Sequence, residues 1–150
     1  MASYLTNAFK GRLLGDNAQI STAIDLEADT LKLMLLTSSH IPDIDAEVFA
    51  GNISANEISS SGTYTAGFGN RMALTVTSST DDIDDEGVMD AVDVSITSAT
   101  ITARYAPIIK EGASDAASPI GPVIDFGSDQ ISTAGTFTIT FAAEGILNLA

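Results

Sequence analysis

The acid run Asp81-Asp82-Ile83-Asp84-Asp85-Glu86-Gly87 is the densest cluster of chemistry-bearing residues in the chain. Started at Asp82, a calcium-loop register places Asp82, Asp84 and Glu86 at its first, third and fifth positions, Gly87 at the sixth and Asp93 at the twelfth. Three features oppose that register. The twelfth position wants a bidentate Glu, the fifth is a long Glu, and the flanks 74–80 and 92–97 read as strands rather than helices. The reading expected here is a solvated β-turn, with weak divalent binding by Asp82, Asp84, Glu86 and Asp93 as the alternative.

His40 is the lone histidine, so a Ser-His-Asp triad would have to use it. It stands beside Pro42 in the turn-forming stretch 38–45, and a loop histidine is the expectation. One histidine and no cysteine exclude multi-histidine and thiolate metal sites as well as disulfides. The chain has no phosphate-binding glycine loop, dinucleotide fingerprint or nucleophile elbow. Its 20 acids allow many carboxylate pairs, and no spacing selects one for glycoside chemistry. The expectation is a protein that is not an enzyme and takes no cofactor.

Six bases face those 20 acids, for a formal charge of −14. Such a field repels phosphate backbones and anionic lipid, so neither nucleic acid nor a membrane is an expected partner. The bases Lys10, Arg12, Lys32, Arg71, Arg104 and Lys110 are scattered, which suits ion-pair partners or contact points better than a patch. No run is long and apolar enough to be read as a membrane span. The opening residues lack the charged start and apolar core of a secretory signal, so export by that route is not expected.

Positioning these groups falls to a chain of 150 residues, the length of one domain. Residues 3–14 read as a short helix with Ser3 as N-cap and Tyr4, Leu5, Ala8, Phe9 and Leu13 on one face. That face either packs on the body or reaches a partner. The run Leu31–Leu36 suits a strand covered on both faces. Residues 44–50 allow one helical turn capped by Asp43 or Asp45. Residues 51–70 read as a surface loop with a brief strand near Glu57–Ser59. Met72, Leu74 and Val76 alternate along a half-buried strand, and so do Val92, Val94 and Ile96. A β run covers 99–110, with Pro107 marking an edge or a bulge. A strand over 120–126, a turn over 127–135, a strand over 136–141 with Phe137, Ile139 and Phe141 on one side, and a final strand near 144–149 complete the reading. These spacings predict an all-β fold, a sandwich or barrel of about seven to eight mostly antiparallel strands with a short N-terminal helix. The expected division is an N-terminal helical arm over 1–15 and a single β-sandwich domain over 16–150.

Four stretches carry a resemblance. They are Ile24–Ser38, Ile101-Thr102-Ala103-Arg104-Tyr105-Ala106, Ile124-Asp125-Phe126-Gly127-Ser128-Asp129-Gln130, and Gly135-Thr136-Phe137-Thr138-Ile139-Thr140-Phe141 with Glu144-Gly145-Ile146. Over nearly its whole length the chain resembles a family of small all-β structural proteins of tailed bacteriophages. It departs from that pattern at Ile96 and Ile109, where an aromatic is expected. The resemblance implies a capsid decoration, or cement, protein on the outer surface of the virion head. Its partner would be the major capsid protein, and self-association, as a trimer, is part of what the resemblance implies. A receptor- or glycan-binding module of a head or tail fibre, or a tail or head-completion protein, is the alternative. If the chain docks on a shell, Tyr4, Leu5, Phe9, Arg12 and Leu13 are the first candidates for contact, and Tyr64 and Phe68 the second. On that reading, deleting residues 1–14 abolishes attachment and leaves the sandwich folded.

Overall fold

A run that is apolar at every position needs cover on both faces, and Leu31–Leu36 has it. In a computed structural model of the chain, which describes residues 3–15, 24–81 and 85–149, Leu31, Leu33 and Leu35 point into one core while Met34 and Leu36 point into another. The first core lies between two antiparallel sheets. One sheet runs in the order β2 (Met72–Ala73), β1 (Leu31–Leu33), β5 (Val94–Lys110), β6 (Ile120–Ile139). The other is β3 (Val76–Asp81), β4 (Glu86–Ala91), β7 (Leu147–Leu149). The second core lies on the outer face of the first sheet. There Met34, Leu36, Tyr105, Ile109, Ile120 and Val123 pack with Ala50 and Ile53 of a loop, and Tyr4 lies against them. The fold is an all-β sandwich with one short helix, α1 (Asn7–Leu13).

The clean alternations hold. Leu74 is buried between half-buried Met72 and Val76, and Phe137 and Ile139 are buried between exposed threonines. Ile96 and Ile109 are both interior. Glu57 makes the expected brief strand contact, a bridge to Leu36. Other expectations change. Val92 is exposed, outside the alternation of Val94 and Ile96, because it precedes β5 at the turn from β4. The segments read as separate strands around a turn at 127–135 are one strand, β6. The turn-like residues there sit in bulges. Tyr105 pairs with Asp125 and Ala103 with Gln130, so Arg104 alone faces Phe126–Asp129. Gly127 takes a φ of 82° in that bulge, and Pro107 falls at another register shift, so of its two expected settings it occupies the bulge.

Candidate partner-binding surface

The N-terminal segment is extended before it is helical. Tyr4 exchanges both backbone hydrogen bonds with Val123 of β6, at 2.9 and 3.0 Å. That pairing holds Ser3–Leu5 out of the helix, so the N-cap is Thr6 and not Ser3. The buried Thr6 hydroxyl accepts from Phe9 N–H at 3.1 Å. The helix then lies on β6, with Phe9 fully buried beside Gly121. Asn7 N–H donates to Ile44 C=O at 2.9 Å and ties the helix to loop 37–47.

Under this segment three titratable groups meet. The Tyr4 hydroxyl donates to Glu47 Oε2 at 2.9 Å and stands 3.2 Å from His40 Nε2. His40 Nε2 is also 3.2 Å from Glu47 Oε1. The hydroxyl's single proton goes to Glu47, so towards His40 it can only accept, which puts a proton on Nε2. The His40 ring stands edge-on to Tyr105. Burial, then Glu47, pushes the Tyr4 phenol well above its usual range, so it stays a donor. His40 is therefore a loop histidine, as expected, but a buried one that anchors the N-terminal segment.

Several candidate contact residues need correction. Phe9 and Tyr64 are fully buried and Arg12 is 3% exposed, so none of the three offers a free surface. Residues 3–14 are a docked cover over the second core, not an arm, because the core face of β6 would otherwise meet water. Deleting 1–14 would uncover that face rather than leave the sandwich intact. Tyr64 belongs to a buried network instead. Its hydroxyl donates to Glu57 Oε1 at 2.7 Å and accepts from Leu35 N–H at 3.0 Å. Arg71 forks between Glu57, at 2.7 and 2.8 Å, and Asp115. Burial works against the Arg71 charge, but the hydrogen bonds it donates to Glu57 and Asp115 outweigh that and hold the guanidinium more basic than usual. Tyr4, Leu5 and Leu13 are partly buried, and Phe68 is exposed.

Four of the six bases are paired: Lys32 with Glu111, Arg71 as above, Arg104 with Asp125, and Lys110 with Asp29. The two on α1 hold no carboxylate among the described residues. Arg12 Nη1 donates to Val48 C=O at 3.2 Å and the guanidinium lies over the Phe49 ring, while Nε and Nη2 have no partner. Burial alone lowers its pKa to about 10. Lys10 is exposed on the same helix.

The acid cluster does not make the calcium register. Glu86 and Asp93 would have to share one ion, yet Glu86 begins strand β4 and Asp93 follows its far end, and Glu86–Ala91 alone extends roughly 17 Å at the rise of a strand. Glu86 accepts from Asn148, and Asp93 accepts from Phe141 N–H. Asp82 and Asp84 lie outside the described residues. Among the described residues no group of three or more His, Cys, Asp or Glu is placed to hold a metal.

The open large apolar side chains among the described residues are Leu14, Ile41, Ile44, Phe68, Val92, Ile131 and Leu149, and the first three lie at the end of α1 or on the loop it is tied to. Leu14 is 88% exposed at the end of the helix, and Ile41 and Ile44 are exposed on the adjoining loop. From Ile44 a groove of about 450 Å³ runs between the N-terminal segment (Ser3, Tyr4, Leu5, with Lys10 and Pro122) and the start of β7 (Leu147, Asn148, with Ile146 just before it). Sequence reasoning missed this groove because its walls come from opposite ends of the chain. No protein-family model, no curated protein and no solved structure matches this chain.

Proposed function

We propose that this chain is a capsid decoration protein of a tailed bacteriophage, docking on the major capsid protein at the outer surface of the head. The observation that carries this reading is the flank of open apolar side chains, Leu14, Ile41 and Ile44, on an otherwise acidic sandwich. A body of charge −14 keeps free copies apart in solution, and an uncovered apolar flank gives each copy a place to adhere. The resemblance in 101–106 and 135–141 supports the virion setting. A clamp of this kind works by number: weak contacts, repeated over the lattice and made only with the mature shell, shift its stability by mass action. Self-association as a trimer is part of the same reading, and sedimentation of the purified protein tests it. Glycan binding at a fibre, the alternative, wants exposed aromatics on a concave face, and Phe68 is the one large aromatic among the described residues that is more than partly exposed.

The deciding experiment is quantitative mass spectrometry of purified virions, with the chain counted against the major capsid protein. Many copies in a simple ratio to the shell subunit are expected. A handful per particle would end the lattice reading and move the chain to the tail or portal vertex.

A further inference from the structure

We infer that the groove between Ser3–Leu5 and β7 receives an extended segment of the partner protein, added as a strand, with a carboxylate placed to meet Lys10. The inference rests on the docking role proposed above and names the chemistry of the occupant. Three observations carry it. The first is backbone. Tyr4 turns both its N–H and its C=O to Val123, so the peptide groups of its neighbours Ser3 and Leu5 point away from β6. Neither Ser3 nor Leu5 has a backbone hydrogen-bond partner among the described residues. On the far wall, β7 pairs with β4 on one edge and, among the described residues, with no strand on the other. The groove thus runs beside two strand edges with hydrogen-bonding capacity to spare, the feature that recruits an extended chain.

The second observation is the lining. Leu5, Ile44, Pro122, Ile146 and Leu147 are apolar and would take the alternate side chains of an added strand. The third is charge. In a protein of −14, where the four bases on or beside the strands each hold a carboxylate, Lys10 lines the groove and holds none among the described residues. An acidic residue in the incoming segment supplies the missing partner, and the acids of the rest of the surface repel a misplaced one. The occupant is therefore an extended segment that alternates apolar residues and carries an acid.

The test uses the full chain and a short capped peptide of alternating valine and threonine with one central aspartate, followed by amide shifts in NMR titration. Saturable shifts confined to Ser3–Leu5, Lys10 and Ile146–Asn148 are expected. Leu5→Pro removes one of the two free N–H groups while keeping position 5 extended, and it should weaken binding about tenfold relative to Leu5→Ala, which keeps that N–H. Lys10→Glu should weaken the aspartate peptide and not its asparagine counterpart. Shifts spread elsewhere, or equal binding by Leu5→Pro and Leu5→Ala with unchanged amide spectra away from the site, would overturn the strand-addition assignment. The same variants titrated onto virion heads lacking the chain separate the two claims. Peptide binding without head binding sinks the capsid reading alone, and head binding that survives Leu5→Pro and Lys10→Glu sinks the groove alone.

Discussion

Arg12 shows what a single buried charge costs when nothing balances it. Its guanidinium has one carbonyl and one aromatic face for company, with Nε and Nη2 unpartnered. Replacing such a charge by an apolar side chain of similar length relieves its desolvation. Arg12→Met is expected to stabilise the fold by about 1 kcal/mol, read as a higher denaturant midpoint at unchanged slope. A lower midpoint would mean that the Val48 and Phe49 contacts outweigh the desolvation. Asp125 is the opposite case. The Arg104 fork, at 2.6 and 3.2 Å, and the Gly127 N–H hold its carboxyl below the usual carboxylate range. A depressed folded pKa contributes stability that is fully present above the unfolded value near ~3.9 and is lost as pH falls through the folded one. Melting curves between pH 5 and pH 2 should therefore show a loss of stability whose slope Asp125→Asn reduces, and an identical pH slope in the variant would sink this assignment.

At the scale of elements, the two long strands are kept usable by what lies on their edges. The turn 61–64 covers the outer edge of the first half of β5. Thr63 N–H donates to Thr97 C=O at 3.2 Å, and Ser61 Oγ accepts from Thr100 N–H at 2.9 Å. Gly62 makes that approach possible: its φ is +59°, and a Cβ there would stand 2.1 Å from Thr97 O. Gly62→Ala should cost on the order of 2 kcal/mol or more and shift the Thr97 and Thr100 amides first. A neutral substitution would mean that the turn can lift from β5 freely. Elements of this kind divide what was legible in the sequence from what was not. Leu31–Leu36 and Phe137–Ile139 were readable because burial alone dictates their patterns. The unity of β6 was not, because the Gly and Ser residues of a bulge look like those of a turn. The helix start at Thr6 was hidden for a related reason: Ser3 is a good cap by type, but pairing with β6 claims its neighbours. The Tyr4–His40–Glu47 and Tyr64–Glu57–Arg71–Asp115 clusters join residues up to 43 and 44 positions apart, which no local pattern encodes.

The whole molecule is unevenly built. The first sheet is covered on both faces around β1 and the adjoining halves of β5 and β6, while the second sheet meets the core on one. Hydrogen exchange should follow that order, with the amides of Leu33–Leu36, Ala106, Ile108 and Ile109 the last to exchange and those of β7 among the first. Comparable protection of β7 and β1 would refute the two-core description.

That gradient bears on the short strand β7, three residues long and paired along one edge. Its opening can proceed without disturbing either side of β1, so it behaves as a hinged slat on a rigid frame. A chain laid beside it would close the frame and transfer the rigidity of the first sheet to the second. Binding at this margin would then register as slower amide exchange in β4, the strand paired with β7, and in β3 beyond it, with their chemical shifts unmoved.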